Sequence, residues 1–151
     1  MGENELLTKW LNRSHTVIAT HHHASAVLDS RRYWLGVSVI ILTGFVGTSI
    51  FATLQGSPSL PVKIVVGLAS FLAATLASLQ TFLRYEERAE RHRSAGIKYG
   101  VIMRELEQKA AFPPKDEEEL LRFIDDVRIR WDKLNEESPI IPRAIWNRFN
   151  K

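Results

Sequence analysis

Two uncharged runs constrain this chain more than anything else in it. From Tyr33 to Leu54 no side chain carries a charge, and after a Gly/Ser/Pro interruption a second run extends from Val62 to Leu83 with Lys63 alone at its start. At a rise of ~1.5 Å per residue, each run makes a helix close to the ~30 Å that crosses a hydrocarbon core. Apolar residues occupy every face, Val37 through Leu42 and Ile64 through Leu68 for example. A helix resting on a soluble core keeps a polar stripe instead. A large soluble protein can bury an all-apolar helical hairpin, but a chain of 151 residues has too few other elements to enclose one.

The expectation is an all-α membrane protein forming one domain over residues 1–151. Its parts are an N-terminal helix over 1–32, spans at 33–54 and 62–83 joined by a turn at 55–61, and C-terminal helices over 84–151 that form a small bundle with the first. The first run begins behind a polar stretch containing Glu3, Glu5 and Asp29, so it is expected to act as its own insertion signal. Gly2 is present, but Leu6 stands where myristoylation wants Ser or Thr.

Charge placement gives an orientation. Arg31, Arg32, Tyr33 and Trp34 mark the entry to the first span, and Arg84 and Tyr85, followed by Arg88, Arg91 and Arg93, mark the exit from the second. Cations beside amphipathic aromatics suit the cytoplasmic headgroup level, and the opposite end, from Gln55 to Lys63, offers only Lys63. Both termini are therefore expected in the cytoplasm.

Side-chain size is patterned within the spans. In the second, Gly67, Ser70, Ala74, Ala77/Ser78 and Thr81 recur at three and four residues, and Gly36, Thr43/Gly44 and Gly47/Thr48 do so in the first. Small residues at this spacing let helix backbones approach. One reading confines Gly36, Gly44, Gly47, Gly67 and Ala74 to holding the hairpin together. The other adds further copies of the chain, with Ser70, Ser78 and Thr81 lining a wet path. No ionisable residue sits at mid-membrane, which argues against a proton-coupled transporter or a charge-selective filter.

Outside the spans, Leu7, Trp10/Leu11, Ser14, Val17/Ile18, His21, Ala24/Ser25 and Leu28 fall on one helical stripe, with Asn4 as a candidate N-cap. Adjacent helical residues diverge, so at most two of His21, His22 and His23 can share an ion, and no carboxylate lies three or four residues away. They read as a solvated patch, with a proton-sensitive surface as the alternative. Residues 84–109 read as a continuation of the second helix, a solvated stalk over the charge-rich stretch 86–92, with Tyr99, Ile102/Met103 and Leu106 forming an apolar stripe further on; Gly96 and Gly100 weaken the helix there but would permit close packing against the N-terminal helix. Phe112-Pro113-Pro114 ends it. Asp116 then caps a helix, with Glu119 as its capping-box partner, whose seam is Leu120, Ile124, Val127, Trp131 and Leu134. After Ser138-Pro139-Ile140-Ile141-Pro142, a short helix carries Trp146 and Phe149 to close the bundle with Trp131.

There is no cysteine, phosphate loop, nucleophile elbow, zinc-spaced histidine set or base-contacting motif. The expectation is a protein that is not an enzyme, needs no cofactor and binds no nucleic acid directly.

The N-terminal helix with Trp10 and its histidines, the Asp29-x-Arg31-Arg32-Tyr33-Trp34 entry, the two spans with a Pro-containing turn, the exit through Arg84 and Arg93, and Ser138-Pro139-x-x-Pro142-x-x-x-Trp146 together resemble the SLATT domains. That resemblance implies a two-span effector of bacterial nucleotide-signalling and conflict systems, which oligomerises into a pore and depolarises or permeabilises the inner membrane of an infected cell. It also implies a separately encoded sensor such as a nucleotide synthase, a SLOG protein or a reverse transcriptase. The competing expectation is a non-conducting scaffold whose hairpin anchors a partner-binding bundle.

Overall fold

The computed structural model describes residues 3–53, 56, 58–114 and 116–149. The side chain of Asn4, the Leu54 end of the first span, and Gln55 and Ser57 of the turn lie outside the described residues. Five α-helices follow one another, with no strand among the described residues: α1 (Glu3–Thr53), α2 (Leu60–Leu83), α3 (Tyr85–Ala111), α4 (Glu117–Glu137) and α5 (Arg143–Phe149). They form two compact units, one of Met1–Val27 with Glu87–Lys151 and one of Leu28–Glu86. Both α1 and α2 hold segments long and apolar enough to cross a membrane, and the most apolar windows of both are almost wholly unburied.

The Leu28–Glu86 unit is a helical hairpin of the second part of α1 and α2. Its seam on α2 runs Val66, Ala69, Ala73, Leu76, Gln80, Leu83, alternating three and four residues, and Ala69 and Ala73 are the buried members. On α1 the half-buried residues include Leu35, Val39, Leu42, Val46 and Ser49 at the same spacing. Small alanines at the centre let the helix surfaces come close. Pro61 stands in the first turn of α2, where a missing backbone N–H costs nothing.

The second helix does not run on as a stalk. It stops at Leu83, and Arg84 takes the left-handed conformation at φ 46° and ψ 42° before α3 begins at Tyr85. For a residue with a Cβ that conformation costs about 1–2 kcal/mol, so this break is imposed by the surroundings rather than by local preference.

The other unit has a continuous core. Leu7 and Val17 of α1, Ala95, Tyr99, Ile102 and Leu106 of α3, and Leu120, Val127, Trp131 and Leu134 of α4 pack as one cluster, with Trp10, Leu11, Ile18, Phe123, Ile124 and Trp146 against it. The α1 stripe read from the sequence is the buried one: Leu7, Ser14, Val17, His21, Ala24, Ser25 and Leu28 are all buried. On α3, Tyr99, Ile102 and Leu106 of the expected apolar stripe are buried, and burial reaches back into the part expected to be solvated: Ala89, His92, Ala95, Gly96 and Gly100 are buried too, small residues and one histidine that do not read as an apolar face.

Asp116 caps α4 by accepting from the Glu118 amide at 3.1 Å, while Glu119 accepts from Lys109 Nζ at 2.8 Å. Arg130 ties α4 to α3 through a two-nitrogen contact with Glu105, which holds the Glu105 carboxyl below its ordinary range. Helix α4 ends at Glu137, where the Ser138 amide donates to the Leu134 carbonyl at 3.0 Å.

Candidate functional site

Two sets of residues carry chemistry beyond packing, and each lies within one unit. The first is the outer surface of the hairpin. Ile40 and Ile41 on α1 and Leu68, Phe71 and Phe82 on α2 are exposed, Phe82 by 81%. Nothing in the hairpin itself covers them, and water is a poor solvent for such a surface.

The strip of small residues read from the sequence is mostly outside the hairpin seam. Gly36 alone among the five packing candidates lies against the opposite helix, where an added Cβ would sit 3.7 Å from Gln80 Nε2. At Gly44, Gly47 and Gly67 an added Cβ would meet nothing within 4 Å, and Ala74 is exposed. As hairpin contacts these four positions are corrected to Ala69 and Ala73. The reason is rotational: Ala73 precedes Ala74 by one residue, about 100° around the helix. The strip therefore faces away from the seam and remains open for another helix.

The hydroxyls assigned to a wet path are engaged locally. Ser70 Oγ donates to the Val66 carbonyl at 2.8 Å, Ser78 Oγ to Ala74 at 2.8 Å and Thr81 Oγ1 to Ala77 at 3.2 Å. Thr43, Thr48 and Ser49 make the same backbone bonds on α1. A hydroxyl away from water satisfies its proton this way and keeps its lone pairs as acceptors.

At the polar end of the hairpin, Arg31, Arg32, Tyr33 and Trp34 are exposed and Tyr85 is half-buried. Tyr33 and Trp34 meet edge to face at 5.6 Å, and Arg32 Nη1 lies 3.2 Å from Glu86 Oε2. Arg84 has a second role the sequence did not signal, as the left-handed stop of α2.

The second set lies inside the other unit. His21 of α1 and His92 of α3 are 2% and 6% exposed, and their Nδ1 atoms are 2.9 Å apart. At that distance one imidazole donates Nδ1–H and the other accepts, which requires opposite tautomers. The His21 ring stacks on Tyr99 at 5.6 Å, Tyr99 meets Trp131 edge to face at 5.1 Å, and the Tyr99 hydroxyl donates to Asn135 Oδ1 at 2.6 Å. Burial pushes the Tyr99 phenol up. His21 is held down to about 4, first by burial and then by His92 and His22. His92 is lowered by burial and by the Arg88 guanidinium.

The solvated histidine patch is thereby corrected for His21. His22 is exposed, with its Nε2 only 3.2 Å from where a Gly96 Cβ would stand, and His23 lies beside Phe149 at 5.4 Å. The close approach expected of Gly96 is present, whereas Gly100 faces Arg104 of its own helix at 3.6 Å. Nothing near His21 in sequence announces its partner, which lies 71 residues on. Among the described residues no group of three or more His, Cys, Asp or Glu converges as metal ligands would.

The α4 seam is used within its own unit. Leu120, Val127, Trp131 and Leu134 are buried, Ile124 and Trp146 are partly so, and Arg13 lies over the Trp131 ring at 5.9 Å. What α4 leaves outward includes Leu121 and Ile129, both more than half exposed.

No protein-family model, no curated protein and no solved structure matches the chain.

Proposed function

We propose that the chain is a membrane effector: with both termini in the cytoplasm of a bacterial cell, copies associate through their spans into a pore that permeabilises or depolarises the inner membrane. In this reading a separately encoded partner of an antiphage system supplies the trigger. The resemblance to SLATT domains suggests that trigger class. The single observation that supports the reading most is the open strip on a hairpin whose outer surface is otherwise large and apolar. A hairpin sufficient to itself would direct its small residues at its own seam, whereas here Gly44, Gly47, Gly67 and Ala74 have room for a neighbour.

Mechanistically, copies seated strip to strip have two arrangements, and a trigger that favours one shifts the population toward it. The terminal helices are the element such a trigger would engage. The test follows from the open geometry. Gly47→Leu and Ala74→Leu leave the seam untouched, so insertion and helix content are expected to be unchanged while the loss of membrane potential on expression disappears. Unchanged depolarisation in both variants would remove the reading.

A second reading is favoured by one observation: the donors of Ser70, Ser78 and Thr81 are already committed to backbone carbonyls. That suits a dry interface, and hence a non-conducting scaffold whose hairpin anchors a partner-binding bundle. Planar bilayers separate the two, because a scaffold passes no current at any protein load.

A further inference from the structure

The pair formed by His21 and His92 is unlike the rest of the core it sits in. The core residue stacked on its His21 ring is Tyr99, which in turn packs on Trp131. Thr20 Oγ1 donates to the Val17 carbonyl at 2.7 Å, and Ser14 Oγ donates to Trp10 at 2.8 Å, so these neighbours are satisfied within α1. The two imidazoles, by contrast, bond to each other across the α1 and α3 interface.

We propose that His21 and His92 form a proton-operated latch between α1 and α3, closed while the pair is neutral and opened when both rings take up a proton from water. With both rings neutral, one Nδ1–H donates to the lone pair of the other Nδ1. A first proton can enter at an Nε2 and leave that bond intact. A second places N–H against N–H at a spacing of 2.9 Å and two positive rings together, so the bond is lost and the rings repel.

Among the described residues, no acidic group acts on the pair. Helix α1 presents His22, and α3 presents Arg88 and the Tyr99 phenol. Helix α4 reaches the cluster through Trp131 and Asn135, both uncharged and both on Tyr99, and Arg13 of α1 lies over Trp131. Helix α5 places Phe149 on His23. Among the described residues, the ionisable groups that act on the pair from outside it, His22 on His21 and Arg88 on His92, are basic, which opposes protonation of the pair and makes its protonated state a force for separation.

The sign follows from linkage. His21 is near 4 in the folded chain and near 6.5 when unfolded, so the unfolded chain binds more protons between those values. Stability is full above 6.5, falls as pH drops toward 4, and levels below it. The latch is independent of what the hairpin does in a membrane, so its failure and the failure of the effector reading are distinguishable.

The experiment uses the full chain in detergent micelles with 15N-labelled histidine. The 15N signals of His21 and His92 are expected to show one donor and one acceptor Nδ1 at neutral pH and to take up protons in two steps on acidification, the shared bond surviving the first and disappearing with the second. Amide exchange in residues 89–99, corrected for its intrinsic pH dependence, should rise by at least about tenfold, the equivalent of one pKa unit. Asparagine reproduces the reach of Nδ1 without titrating, so His21→Asn with His92→Asn should fold at neutral pH and lose the acid response, whereas His15→Asn should keep it. If His21 titrates unshifted at 6.5, or if exchange in 89–99 ignores pH, the latch is wrong. Should the double variant not fold, the histidine titration of the unmodified chain decides the matter.

Discussion

The two units solve the same packing problem with opposite materials. The terminal unit buries large side chains, Tyr99, Leu106, Val127 and Trp131 among them, and turns charge outward. The hairpin buries Ala69 and Ala73 and turns Ile40, Leu68 and Phe82 outward. In the first, removal of apolar area from water drives association. In the second, the outside is as apolar as the inside; if lipid surrounds it, as proposed, close contact between small residues has to do what hydrophobicity cannot. Inside-out residue size is the pattern expected of two different solvents along one chain.

Truncating matched large side chains gives the widest split between the units. Trp131→Ala is expected to cost about 3–5 kcal/mol, read as a fall in the denaturation midpoint of the terminal unit in micelles. Phe82→Ala should leave hairpin stability within about 0.5 kcal/mol, because an apolar ring is moved between two apolar settings. Equal costs would mean that protein, not lipid, covers Phe82.

Acid separates the units next. Taking His21 from about 6.5 unfolded to about 4 folded, the terminal unit should lose about 3 kcal/mol between pH 7 and pH 4. Glu105, lowered by Arg130, begins to contribute in the same direction only below its ordinary pKa near 4.5. The hairpin, with no ionisable residue at mid-span, should show no midpoint shift over that range. Thermal denaturation at several pH values, followed separately by tryptophan emission and far-ultraviolet circular dichroism, checks this.

Smaller effects test each seam. Ala73→Leu overfills the hairpin contact and should cost about 1–3 kcal/mol, measured by the thermal stability of the hairpin helices. Gly67→Leu, into open space, should cost no more than a surface change. Finally, Arg84→Gly relieves a left-handed residue and is expected to stabilise by about 1 kcal/mol, while Arg84→Val should destabilise by at least as much.

Much of the architecture was legible one residue at a time. Twenty-odd uncharged positions in a row, the Leu7 to Leu28 stripe, the Asp116 cap and the Leu120 to Leu134 seam are local periodicities, and local periodicity survives into the folded chain whenever nothing overrides it. Small residues were harder. Both Ala69–Ala73 and Ser70–Ala74 have the spacing for close packing, and composition cannot say which of two strips 100° apart meets the partner helix. The Tyr99 to Leu106 stripe of α3 was legible, but the first half of that face was missed for a related reason: Ala89, His92, Ala95 and Gly96 become a core face only because α1 lies against them.

The sequence by itself determined where the helices are, which of them are apolar all round and how the charges are distributed along the chain, since these follow from periodicity, breakers and solvation. Only the tertiary structure decided the rotation of each seam, the stop at Arg84 and the meeting of His21 with His92. Each of these depends on the angle at which two distant segments approach, and pairing across 71 residues leaves no trace in the neighbours of either one.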